Sequence, residues 1–141
     1  MNNLIYIDLN ETERLIKPAL EKHPEIVAAY FFGSSLGLCR IDSDIDIGVI
    51  LNSKVHMTEK EQDLLIERIL SETPQSGNHL IDISILRESD AFFTHRVIRK
   101  GSLFFVSDAE ELTDFIEVVS NKYRENYPRY RKALELIASE V

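Results

Sequence analysis

Two apolar runs, 26–32 (IVAAYFF) and 44–51 (DIDIGVIL), are separated by only eleven residues, 33–43. Both read as strands of a sheet interior: the first is apolar throughout, and the second alternates and then becomes fully apolar. A crossover between parallel strands needs about a dozen residues or more, usually with a helix inside it. The gap here is too short for that. The two strands are therefore expected to be antiparallel neighbours or to be joined by a one-turn helix, and that expectation organises the rest of the chain.

Around this pair the hydrophobic period changes in a regular way. Asn10, with Glu13 three residues on, reads as the N-cap of a first helix whose apolar stripe is Leu15, Ile16, Ala19 and Leu20. Pro18 inside it predicts a kink or a later start. Thr58 with Glu61 repeats the capping-box spacing ahead of a helix carrying Leu64, Leu65, Ile69 and Leu70. HLIDISIL, 79–86, is the next strand. Ser89 or Asp90 can cap a helix that ends before Gly101, SLFFV at 102–106 is a further strand, and the tail from Asp108 is helical with a break at Pro128. The fold class is α/β: a small mixed β-sheet packed by α-helices. With no repeat, low-complexity tract or Pro/Gly/Ser linker, residues 1–141 are expected to form one domain.

Charge excludes several functions. Sixteen Lys and Arg stand against 24 Asp and Glu, a formal net charge of −8. A stable binder of duplex nucleic acid needs a surplus of cations instead. The single cysteine, Cys39, permits no internal disulfide and no multi-cysteine zinc site. No apolar run approaches the roughly 20 residues of a membrane span, and the N-terminus has no secretory pattern. No membrane is expected, and a cytoplasmic location is. The acidity is uneven. Residues 1–95 hold 8 Lys and Arg against 16 Asp and Glu, whereas 96–141 hold 8 of each.

Three carboxylates lie on otherwise apolar strands. Alternation puts Asp44 and Asp46 on one face and Ile45, Ile47 and Val49 on the other. In the later strand it separates Asp82 and Ser84 from Ile81, Ile83 and Ile85. If the two strands are neighbours in register, the three carboxylates converge and raise one another's pKa. A divalent cation relieves that conflict, and Mg²⁺ prefers carboxylate and phosphate oxygens. Gly33-Ser34-Ser35 follows the first buried strand, where a glycine admits close backbone approach and amide N–H groups with a serine hydroxyl can hold phosphate. The set Gly33, Ser34, Asp44, Asp46 and Asp82 suits metal-assisted nucleotidyl transfer. Asp44 and Asp46 would bridge two ions. Asp82 would bind the ion that activates the attacking hydroxyl and help take its proton. Neither a P-loop nor a dinucleotide-binding glycine motif is present.

FFGSSLGLCRIDSDIDIGVIL resembles the Gly-Ser…Asp-x-Asp signature of the DNA polymerase β-like nucleotidyltransferases, and LIDISIL resembles its third-carboxylate strand. In its short length the chain is similar to the minimal nucleotidyltransferases (MNT), antitoxins paired with HEPN-family ribonuclease toxins. HRVIRKGSLFFVSD resembles the helix–glycine–strand that follows. The resemblance implies transfer of AMP from ATP to a tyrosine hydroxyl of a HEPN toxin, and a complex with that toxin. By position it implies that Gly33 and Ser34 bind nucleotide and that Asp44, Asp46 and Asp82 bind metal. One departure is local. Family members often carry a basic residue soon after the Gly-Ser pair, but here the segment is Ser35-Leu36-Gly37-Leu38-Cys39, with Arg40 only afterwards.

Two other functions compete: an antitoxin that neutralises its partner by binding alone, and a transferase acting on a small molecule of the aminoglycoside kind. The second is disfavoured, because 141 residues leave little room for a second substrate-holding domain unless a dimer supplies one. His23, His56, His79 and His95 lack ligand spacing and read as surface or packing residues. Tyr123, Tyr127 and Tyr130, among Lys122, Arg124, Arg129, Arg131 and Lys132, could dock a partner, lean over a nucleotide or simply cover the sheet.

Overall fold

A computed structural model describes residues 3–75, 77 and 79–139, with residue 130 represented by its backbone alone. The chain begins with a two-residue strand Leu4–Ile5 (β1) and helix Leu9–Glu21 (α1). Strand Ile26–Phe32 (β2), a one-turn 3-10 helix Gly33–Leu36, strand Cys39–Arg40 (β3) and strand Ile45–Leu51 (β4) follow. Then come helix Glu59–Glu72 (α2), strand Ile81–Ile85 (β5) and a 3-10 turn Glu88–Asp90. Helix Ala91–Lys100 (α3), strand Ser102–Val106 (β6) and helix Ala109–Ser139 (α4) end the order. No helix among the described residues is long and apolar enough to cross a membrane.

The four longer strands make one sheet in the order β5-β4-β2-β6. β2 pairs antiparallel with β4 and with β6, while β4 and β5 are parallel. Both solutions to the short gap are thus used together: β2 and β4 are antiparallel neighbours, and a one-turn helix lies between them. Helices α1 and α2 cover one face, packing Ile16, Leu20, Leu65 and Ile69 on Phe31, Ile45, Ile47 and Val49. Helices α3 and α4 cover the other, with Val97 and Leu112 over Val27, Tyr30, Ile50 and Leu86. The mixed sheet packed by helices is the fold class expected.

Several local expectations are corrected. The first helix starts earlier than Asn10. Asp8 is its N-cap, accepting from the Asn10 and Glu11 amides at 3.1 and 3.3 Å. The gain is apolar, because Leu9 then joins the core. Pro18 neither ends nor delays α1, and Pro128 does not break α4. Both prolines are exposed, as are Arg14 and Arg124 four residues before them, so water can satisfy the carbonyls a proline leaves unpaired. On α2 the capping box of Thr58 and Glu61 is present, but only Leu65 and Ile69 are buried. Leu64 and Leu70 face solvent. Before α3 a 3-10 turn intervenes, and Asp90 sits at the cap without a side-chain bond. The antiparallel pair β1–β3 was not expected, being two residues long on each side.

The Tyr/Arg stretch does not cover the sheet. Helix α4 buries Leu112 and Val119 and then leaves the body, so that Tyr127, Leu134, Leu136 and Ile137 are exposed. Its last hold is aromatic: Tyr123 stacks on His95 of α3 at 3.8 Å between ring centroids. The side chain of Tyr130 lies outside the described residues. Leu112→Ala should therefore cost about 2–5 kcal/mol in urea unfolding, and Leu134→Ala no more than about 0.5 kcal/mol.

Candidate active site

Register brings the predicted residues together. Parallel pairing sets Asp46 opposite Asp82, and antiparallel pairing sets Phe32 opposite Asp46. Asp44 stands one residue before β4, on the same side of the chain as Asp46. The carboxylates lie on the sheet face that α3 and α4 cover, at the end where β2 gives way to the 3-10 turn. Asp44 and Asp82 are exposed and Asp46 is half-buried. Burial, then the charges of Asp82 and Asp44, hold the Asp46 carboxyl above its ordinary value. The mutual repulsion expected of the triad is thus present at its innermost member.

Gly33 closes the other side. Its φ of +80° lies in the left-handed region, and a Cβ there would collide with Oδ2 of Asp46. Only a glycine can both turn the chain and let the turn lie against that carboxylate. The turn then divides its serines. Ser35 is buried, its Oγ donating to the Phe32 carbonyl at 3.5 Å, whereas Ser34 faces solvent. The exposed hydroxyl is the one the sequence pattern picked out.

Among the described residues, no group of three or more His, Cys, Asp or Glu side chains is placed so as to hold a metal ion by itself. Asp44, Asp46 and Asp82 are a partial set of hard oxygen donors. That suits Mg²⁺, which keeps waters and takes substrate phosphates as ligands. Two further features lie outside the set expected from the sequence. His79, read as a surface or packing residue, donates from Nδ1 to the Ser43 carbonyl at 2.9 Å, while the Ile45 amide donates to the Leu80 carbonyl at 2.8 Å. Together they pin the approach to β5 onto the backbone that carries Asp44. A cavity of about 380 Å³ also opens beside the turn, lined by Phe32, Gly33, Leu36, Phe93, Arg96 and Lys100. The bond from His79 reaches a backbone atom and leaves no pattern in the sequence. The cations could have been found, since Phe93, Arg96, Val97 and Lys100 share one helix face at i, i+3, i+4 and i+7.

The family model described as "Polymerase beta, Nucleotidyltransferase" matches residues 14–110, a span that contains the turn and all three carboxylates. The chain belongs to this family of nucleotidyltransferases. No curated protein matches it by sequence. Among solved structures, this nucleotidyltransferase is similar in fold to a chain of a toxin–antitoxin crystallised with AMP-PNP. The TM-score is 0.64 at 20% identity, over 89% of this chain and 98% of the other. It is likewise similar to a chain of the complex of a tri-AMPylated Shewanella oneidensis HEPN toxin with its MNT antitoxin. There the TM-score is 0.61 at 17% identity, over 91% and 98% of the two chains. A chain of the toxin–antitoxin MntA-HepT gives the same TM-score, identity and coverage.

The raised Asp46 pKa has a consequence for stability in metal-free solution. The fold disfavours the ionised form, so the penalty is absent below the unfolded carboxyl's pKa, near 3.9. It grows as pH rises through the folded value. Asp46→Asn should therefore unfold at higher urea than wild type at pH 7 in EDTA, with the gap shrinking towards pH 4. Equal midpoints at both pH values would contradict the electrostatic reading of this site.

Proposed function

We propose that this chain is an antitoxin that transfers AMP from ATP to a tyrosine hydroxyl of a cognate HEPN-family toxin, in the cytoplasm, with two Mg²⁺ ions. One observation carries the chemistry: Asp46 and Asp82 share a register position on neighbouring strands, with Gly33 pressed against the Asp46 carboxylate. The acceptor and partner are supported by fold likeness to chains from complexes of MNT antitoxins with HEPN toxins.

Each group then has a task. The Gly33–Ser34 amides and the Ser34 hydroxyl hold phosphate oxygens of ATP against the end of β2. Asp44, Asp46 and Asp82 would hold the Mg²⁺ ions, which supply charge neutralisation at the phosphates and a lowered pKa for the acceptor hydroxyl. Asp82, exposed at the rim, helps accept the hydroxyl proton. The tyrosine oxygen bonds to the α-phosphorus, the bond from that phosphorus to the β-phosphate bridging oxygen breaks, and pyrophosphate leaves with the electron pair. His79 acts earlier, by holding the Ser43 backbone and so the reach of Asp44.

Incubation with ATP, Mg²⁺ and the toxin should add whole AMP units to a toxin tyrosine, read by mass spectrometry of the digested toxin. The Asp44→Asn/Asp46→Asn double variant should lower the rate by about 10²-fold or more, since it removes two metal-binding charges from a folded protein. An unmodified toxin that wild-type protein still silences, and that the double variant silences equally at one-to-one amounts, would replace catalysis by binding.

A further inference from the structure

A nucleoside triphosphate is polyanionic, and the turn that faces it contributes no cation. Gly33, Ser34, Ser35, Leu36, Gly37 and Leu38 are all uncharged. Their amides and the Ser34 hydroxyl can orient phosphate oxygens, but the nearest side-chain charges of the site are the three carboxylates, which repel them. Positive charge has to come from another element.

Helix α3 brings it. Arg96 and Lys100 lie four residues apart on the face that closes the cavity beside Gly33, with Phe32, Leu36 and Phe93 as its apolar walls. Both are exposed on the helix. Neither takes part in any ion pair among the described residues. The Arg96 guanidinium instead lies over the Phe92 ring, 5.9 Å from its centroid, an arrangement that leaves its N–H donors for another partner. In a chain with a net charge of −8, two cations without acidic partners at the wall of one cavity are conspicuous. Apolar contact holds the helix there independently: Val97 is buried in the α3/α4 core, and Phe93 packs against it.

We propose that Arg96 and Lys100 grip the β- and γ-phosphates of the bound nucleoside triphosphate and stabilise the departing pyrophosphate, an assignment that rests on the nucleotidyl-transfer reading. As the acceptor oxygen bonds to the α-phosphorus, negative charge builds on the oxygen that had bridged to the β-phosphate, and the two cations meet it there. The guanidinium can take two phosphate oxygens at once and the ammonium acts as a point charge.

The test is calorimetric binding of ATP and of AMP to the full chain in Mg²⁺ buffer, without toxin. Arg96→Gln/Lys100→Gln should weaken ATP by about 30-fold or more, as loss of two charge-assisted bonds implies, and leave AMP within about two-fold. The swap Arg96→Lys/Lys100→Arg should keep most of the preference for ATP over AMP. Arg99→Gln, on the same helix but outside the cavity wall, should change neither ligand. An ATP affinity within about two-fold of wild type in the glutamine double variant would overturn the assignment. So would an equal loss for ATP and AMP, or the same selective loss from Arg99→Gln. Because the toxin is absent, an unmodified toxin in the transfer experiment counts against the acceptor alone. A wild-type KM for ATP during transfer by the glutamine double variant counts against the phosphate grip alone.

Discussion

Asp46 stands beside Asp82 because β4 and β5 run parallel in register, and that juxtaposition of like charges shapes much of what surrounds it. Carboxylates at facing positions repel and are normally avoided on neighbouring strands. Here a third, Asp44, adds to the repulsion, and burial first, then the charges of Asp82 and Asp44, raise the Asp46 carboxyl's pKa. The apolar contacts of the same strands offset the conflict. Ile45 and Ile47 on one side of Asp46, and Ile83 beside Asp82, are packed beneath α1 and α2. One sheet face thus supplies cohesion, and the edge of the other carries an electrostatic penalty that a divalent cation would remove.

The Gly33 turn belongs to the same arrangement. β2 ends opposite Asp46, so the chain must reverse against a carboxylate, and a left-handed glycine is the residue that permits it. The 3-10 turn buries Ser35 and turns Ser34 outward. The features that suit phosphate binding are therefore consequences of where β2 stops. His79 and the Leu80 carbonyl work from the other flank, fastening the lead-in of β5 to the backbone on either side of Asp44.

Much of this was legible in the chain itself. The eleven-residue gap limited how β2 and β4 could be joined, and period-two alternation separated Asp44, Asp46 and Asp82 from the isoleucines. What alternation could not supply was the pairing of β4 with β5, since register depends on contacts made across α2. The helices depart from their local signals for two reasons. Asp8 and Asn10 are equally good caps locally, and the burial of Leu9 decides between them. Pro18 and Pro128 look disruptive by propensity yet sit on solvent faces, where the cost is small. Arg96 and Lys100 share a helix face in the sequence, but their place across a cavity from Gly33, more than sixty positions away in the chain, comes only from the fold.

On the proposed function, the three strand carboxylates and the Gly33–Ser34 turn form one nucleotide-binding centre. A crystal structure with AMP-PNP and Mn²⁺ tests it most directly, because anomalous scattering locates the ions independently of the nucleotide. Mn²⁺ should be bound by Asp44, Asp46 and Asp82, with the triphosphate against Gly33 and Ser34. Nucleotide bound elsewhere, such as in the cavity lined by His56 and Arg87 at the far end of β4 and β5, with no ion at the carboxylates, would contradict it.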